Sequence, residues 1–322
     1  MKAATLKFTR VLFPVIGFSI VGYYFSISAG NLPSIVLHDP GFWAFCLAAV
    51  LCALVALAWG AIGWHYLIAG GVGNLSFCAA VGIVLASQIG KYLPGNVGHY
   101  LGRIAFAKMH GVNVHQGVMS IAIETMMAIS SAVILTSLCW IFDPVALEPM
   151  TVYLPDMWIS LPVLIAFGVV PLFLPWTVGL PWLNRLIPAF LRSSLDVWPS
   201  THATAKVLIC QSLSFAFMGL GLFLVVGQFE PASTFTVVYA TVVFIAAWTI
   251  GTLTPGAPGG LGMREGVLVV GLTPFVAAGD AVVIALAFRV ITIAGDGAAY
   301  FVGQKLRSIA NKSGTANPSG SL

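Results

Sequence analysis

Residues 90–103 read GKYLPGNVGHYLGR, and residues 251–264 read GTLTPGAPGGLGMR. Both follow the pattern G-x3-P-G-x2-G-x4-R. Gly90, Pro94, Gly95, Gly98 and Arg103 are answered by Gly251, Pro255, Gly256, Gly259 and Arg264, always 161 residues later, which is half of the chain. A chance Pro-Gly pair is easy in a chain with 34 Gly and 18 Pro, but five positions in register point to duplication of a half-chain unit.

What surrounds the two stretches is strongly apolar. The chain of 322 residues is 59% hydrophobic and 7% charged, against about 25% charged in an average soluble domain. That composition excludes a soluble catalytic domain. Apolar runs long enough to cross a hydrocarbon core about 30 Å thick recur from end to end. They predict an all-α polytopic membrane protein with six full spans, at residues 11–27, 41–69, 116–142, 157–176, 203–227 and 279–303. The first run reads as an uncleaved span, being longer than the apolar region of most cleaved leaders. Residues 77–109 and 232–276 each read as two short apolar segments flanking one of the Gly/Pro clusters. The organisation expected is a first membrane repeat over 1–150, a second, inverted repeat over 151–306, and a disordered cytoplasmic tail over 307–322.

Charge sets the expected orientation. The amino end (Lys2, Lys7, Arg10), the 177–202 loop (Arg185, Arg192) and the carboxyl end (Lys305, Arg307, Lys312) are basic, which places both termini on the cytoplasmic side. The loop carrying Asp143, Glu148 and Asp156 has no Lys or Arg and is expected outside. Residues 77–109 then begin and end inside, and 232–276 begin and end outside. Each is read as a re-entrant hairpin or a pair of short spans. An odd number of crossings per half inverts the second half, and inverted halves with Gly/Pro-broken helices in matching places are a transporter signature. Broken backbone at membrane depth needs protein or water around it, so the hairpins are expected to share a wet cavity.

Several ionisable residues fall at membrane depth, where each costs about 2.5–3.5 kcal/mol unless paired or hydrated. Glu124 lies on one helical stripe with Ser120, Ala128 and Ser131; Arg289 shares a stripe with Ala285, Thr292 and Asp296. Glu124, Glu265, Arg289 and Asp296 are the candidates for a buried structural charge network, with Glu124 or Glu265 as partner of Arg289. Lys91, Arg103 and Arg264, flanking the breaks together with His99, are the candidate substrate contacts. Arg matches phosphate bidentately and Lys supplies a point charge. The broken-helix motif itself is Pro94, Gly95, Gly98, Pro255, Gly256 and Gly259.

The remaining features are expected to be structural. Cys46, Cys52, Cys78, Cys139 and Cys210 lie singly in apolar runs and read as small apolar residues. His65, between Trp64 and Tyr66, reads as interfacial; His38, His110, His115 and His202 lack metal spacing. Gly60, Gly63, Met126 and Met127 read as packing residues. No metal, cofactor, catalytic constellation or nucleic-acid partner is expected.

The segment Leu93-Pro94-Gly95 through Arg103, Glu124, the run Thr254-Pro-Gly-Ala-Pro-Gly-Gly-Leu-Gly-Met-Arg-Glu265 and Arg289 together resemble the transmembrane, flippase-like region of the lysylphosphatidylglycerol synthase family. The resemblance implies a lipid transporter of a bacterial inner (plasma) membrane. It would carry an anionic phospholipid or a polyprenyl-phosphate lipid between leaflets, in some cases beside a separate envelope-biosynthesis enzyme. The alternative is a membrane subunit or enzyme of lipid glycosyl or aminoacyl transfer. The sequence holds no ATP-binding loop, so transport would draw on a gradient, the membrane potential or the lipid's own concentration difference.

Overall fold

A computed structural model of the chain describes residues 40–71, 75–93, 97–152, 198–229, 235–254 and 257–315. The expected spans at 11–27 and 157–176, and the motif residues Pro94, Gly95, Pro255 and Gly256, lie outside the described residues.

Among the described residues every regular element is helical. The helices are α1 (Pro40–Gly71), α2 (Phe77–Ser87), α3 (Gly98–Lys108), α4 (Val114–Phe142), the single turn α5 (Pro144–Leu147), α6 (Thr201–Val226), α7 (Val237–Leu253), α8 (Met263–Leu272) and α9 (Ala278–Thr315). Side chains at their N-termini set several starts by accepting a hydrogen bond from an otherwise unpaired amide. Ser76 does this for α2, Ser200 for α6 and Thr236 for α7, while Asn113 and Gln116 form a reciprocal cap on α4. The four expected spans that fall on described residues are found as α1, α4, α6 and α9, all long and apolar enough to cross a membrane. Long α1, then short α2 and α3, then long α4 is matched in the second half by α6, then α7 and α8, then α9. At 1.5 Å per residue, α3 and α8 reach only about 16 Å, half of a hydrocarbon core.

Small residues let these helices approach closely, as expected where lipid removes the hydrophobic drive for association. α1 lies along α6, and a Cβ on Gly63 would stand 3.3 Å from Cβ of Cys210. α2 crosses α9 where Gly82 meets Gly303; a Cβ on Gly303 would come within 2.4 Å of the Ala86 amide nitrogen. Gly63 and the fully buried Met127 thus have the packing role expected of them, while Gly60 lines the cavity described below. Two apolar clusters result. One joins the end of α1 to α2 through Trp64, Leu67, Ile68, Ile83 and Val84. The other joins α6 to α9 through Leu222, Tyr239, Leu268, Leu272 and Ile284.

Trp64 is fully buried and its indole N–H donates to Ser120 Oγ at 3.2 Å, and the half-buried His65 packs edge-on against Phe77. One expectation is corrected: α9 continues to Thr315, so residues 307–315 are helical rather than disordered. The reason is tertiary: the Arg307 guanidinium sits 3.6 Å from the centre of the Phe106 ring, and Leu306 and Ala310 pack against the first apolar cluster. All five cysteines are free thiols.

Candidate functional site: a charged cavity between the two helix breaks

The first break begins where α2 ends. The Ser87 hydroxyl turns back to donate to the Val84 carbonyl at 2.8 Å, and the chain tightens into a 3-10 turn over Gln88–Tyr92. It then returns as α3, starting at Gly98. The two motif glycines explain each other. A Cβ on Gly98 would lie 2.3 Å from the Gly90 carbonyl oxygen, so the 3-10 turn and the start of α3 touch backbone to backbone.

The second break follows α7, whose end is closed by Thr254, with its amide and its hydroxyl both donating to the Ile250 carbonyl. Gly259, Gly260 and Gly262 have φ of 58°, 74° and 84°, the left-handed region that glycine enters without a steric penalty. Gly262 leads into α8, and its amide donates to Glu265 Oε2 at 2.7 Å. The motif's invariant spacing thus buys two different constructions, a glycine–glycine contact in one hairpin and a left-handed turn in the other.

Both breaks are tied to α9. Asp296 accepts from Lys91 Nζ at 2.7 Å and from the Tyr92 hydroxyl. Seven residues earlier on α9, Arg289 donates from Nη1 to the Gly259 carbonyl at 2.9 Å and stands 3.4 Å from Glu265. The Arg289 guanidinium also lies 5.6 Å from the centre of the Tyr92 ring, so Tyr92 touches the attachments of both hairpins. A third ion pair links Arg103 on α3 to Glu124 on α4, with the Arg103 guanidinium 5.3 Å from the Trp64 ring centre. Glu124 therefore serves Arg103 and not Arg289, because α4 packs on α3; Glu265 is the partner that Arg289 does have. At 4% exposure Arg103 is buried, whereas its neighbour Lys108 is exposed.

These groups enclose a cavity of about 200 Å³. Its lining combines polar residues, Lys91, Tyr92, His99, Arg103, Glu124, Arg264, Arg289 and Asp296, with apolar ones, Leu57, Phe215, Met218, Phe244 and Trp248. The three candidate contacts, Lys91, Arg103 and Arg264, all line it. They differ in what they already hold. Lys91 and Arg103 are paired, whereas Arg264 forms no ion pair among the described residues and has one long hydrogen bond, 3.4 Å to Thr252 Oγ1. Its Nε is buried without a partner, as are Nε and Nη2 of Arg289. Buried donors of this kind are normally satisfied by protein, water or a ligand. Glycine makes room for both side chains: a Cβ on Gly260 would lie 2.8 Å from Arg264 Nε, and one on Gly259 would lie 2.9 Å from Arg289 Nη2. No group of metal-ligating side chains occurs among the described residues.

Tyr92, Gln211, Trp248 and Thr252 also line the cavity and are not among the sequence candidates. Tyr92 alone carried a usable signal, being an aromatic hydroxyl beside a lysine in a broken helix at membrane depth, where it needs a partner.

Among curated proteins, none matches the chain. The family described as the lysylphosphatidylglycerol synthase TM region matches residues 12–298, a range that takes in both breaks and every charged residue of the cavity. The chain belongs to that family, and is a membrane protein of lipid metabolism or transport.

Proposed function

We propose that the protein is a lipid transporter of a bacterial inner membrane. It passes an anionic phospholipid or polyprenyl-phosphate lipid between leaflets, with the headgroup in the cavity and the hydrocarbon chains left in the bilayer. The observation that carries this reading is the cation of Arg264, half-buried on the cavity wall and without an ion-pair partner among the described residues. A cavity of about 200 Å³ suits a headgroup rather than a whole lipid, and the apolar residues in its lining suit the first carbons of the chains.

The matched helix order of the two halves supports duplication, and the positive-inside count supports inversion of the second half with both termini cytoplasmic. On this reading the two short-helix hairpins re-enter from opposite faces, and one half rocks against the other around the cavity. α9 would carry the coupling, since it holds one hairpin through Asp296 and the other through Arg289.

The test is leaflet exchange of fluorescent phosphatidylglycerol and undecaprenyl phosphate in proteoliposomes. Wild-type protein is expected to exchange at least one of them, and Arg264→Gln, folded as judged by thermal midpoint, to slow that exchange at least about tenfold, the worth of one charge-assisted hydrogen bond. Movement of neither lipid by the wild type overturns the transport reading and favours a membrane subunit of lipid glycosyl or aminoacyl transfer.

A further inference from the structure

Among the described residues three ion pairs hold the broken segments, and they are not chemically alike. Arg103–Glu124 and Arg289–Glu265 each rest on a guanidinium, which keeps its proton in proteins. Lys91–Asp296 rests on an ammonium, which gives up a proton far more readily when buried. It is the one pair of the three whose cation a proton can make or unmake. The pair is also confined to one half of the chain. At the spacing of 161 residues that relates the two motifs, Arg103 meets Arg264, but Lys91 and Tyr92 meet Thr252 and Leu253, and Asp296 is met by Leu135. The second hairpin is thus built without an equivalent lysine–aspartate pair, so a broken helix of this pattern does not need one to fold.

The pair is placed to exchange that proton. Lys91 and Asp296 both line the cavity, and the Lys91 side chain keeps 17% exposure where Asp296 keeps 2%. The other titratable or charged groups that face the pair are Tyr92 and His99 of the first hairpin, Arg264 of the second, and Arg289 on α9 itself. Glu124 of α4 is held by Arg103, and α1, α6 and α7 bring no charged side chain to the cavity. With Glu265 on the adjoining wall, the described residues of the site carry four cations, Lys91, Arg103, Arg264 and Arg289, against three carboxylates. Release of the Lys91 proton brings the two signs into balance, which a site of low dielectric favours. A proton added to Asp296 would instead widen the imbalance.

We infer that Lys91 is a proton-exchanging latch between the first hairpin and α9, and that transport is coupled through it to a proton gradient. In the protonated state the ammonium and the Tyr92 hydroxyl both hold the hairpin to Asp296. On release one N–H bond breaks, the electron pair stays on Nζ and the proton passes to water entering the cavity. The ionic tie to α9 is then gone, and only the Tyr92 hydroxyl remains. The second hairpin keeps its own tie, since Arg289 holds the Gly259 carbonyl at either protonation state. The first hairpin is therefore the part that a proton frees. This inference rests on the transport reading and supplies its source of energy.

The experiment uses the full chain in proteoliposomes with the same two fluorescent lipids and a pH difference of about one unit across the membrane, worth about tenfold in an equilibrium for one coupled proton. Potassium with valinomycin holds the membrane potential at zero, and protein-free vesicles give the baseline. The wild type is expected to shift the steady-state leaflet ratio of the lipid it exchanges towards about tenfold, and to reverse the shift when the gradient is reversed. Lys91→Arg keeps the ion pair but cannot release its proton, so it should stay latched and slow exchange at least about tenfold. Lys91→Met has nothing to latch, so it should exchange the lipid to an even distribution whatever the gradient. A merely structural ion pair predicts the opposite order, with Lys91→Arg harmless and Lys91→Met damaging, and that order overturns the inference. A wild type that exchanges lipid yet ignores the gradient overturns this inference alone and leaves the transport reading standing. A wild type that exchanges neither lipid overturns both. The wild-type response to the gradient decides even where a variant does not fold.

Discussion

Glu124→Ala is expected to lower stability by about 3–5 kcal/mol, the range for removing one partner of a buried ion pair. Both side chains are nearly inaccessible, 5% exposed for Arg103 and 12% for Glu124. Without the carboxylate, the Arg103 guanidinium remains between Trp64 and the cavity with its charge uncompensated. The effect should appear as a lower thermal midpoint in detergent. A paired replacement, Arg103→Met with Glu124→Leu, should recover most of the loss, because an apolar pair of similar size avoids both desolvation costs. If the single variant is as stable as wild type, the ion pair is not a structural link between α3 and α4. If the double variant is no better than the single, packing and not charge sets the loss.

The second large effect is expected at Gly98. An added methyl would meet the Gly90 carbonyl oxygen at 2.3 Å and its carbonyl carbon at 3.2 Å. Both are backbone atoms, so no rotamer change relieves the contact. Gly98→Ala should cost at least the upper part of the about 1–3 kcal/mol typical of overpacking, by prising α3 away from the turn that presents Lys91 and Tyr92. Gly111→Ala is the control for helix-end glycines in this half. Its Cβ would meet nothing within 4 Å, and only its φ of 84° opposes the change, so it should cost about 1 kcal/mol. Equal midpoints for Gly98→Ala and wild type would contradict the close backbone contact.

Much of this architecture is legible in the sequence because lipid imposes simple rules. Spans expected at 41–69, 116–142, 203–227 and 279–303 correspond to α1, α4, α6 and α9 within two residues at nearly every end. The exception is the end of α9, where the continuation depends on Arg307 meeting Phe106, a contact between distant segments that composition cannot reveal. The breaks were legible because proline and glycine interrupt otherwise apolar runs. The inward stripe of Ser120, Glu124, Ala128 and Ser131 was legible from helical spacing, and all four residues are buried.

Partner choice was legible only in part. A carboxylate at membrane depth announces that it needs a cation, yet not which one. Glu265 does face Arg289, while Glu124 turns to Arg103, because that choice depends on α4 packing beside α3. The Lys91–Asp296 pair joins residues 205 positions apart and depends on α9 passing the first hairpin. For the same reason the difference between Arg264 and the other two candidate cations emerged only once the acids had been assigned.

The central claim, that the cavity between the breaks receives a lipid headgroup, is tested most directly by photo-crosslinking in proteoliposomes. The probe is a phosphatidylglycerol analogue with a diazirine on the headgroup, and labelled residues are mapped by peptide mass spectrometry. Labels are predicted on cavity-lining residues such as Tyr100, Met218 and Thr252, competed by unlabelled phosphatidylglycerol and lost in Arg264→Gln. Labels confined to outward-facing residues such as Leu47 and Leu51 of α1, unaffected by competitor, would contradict the account.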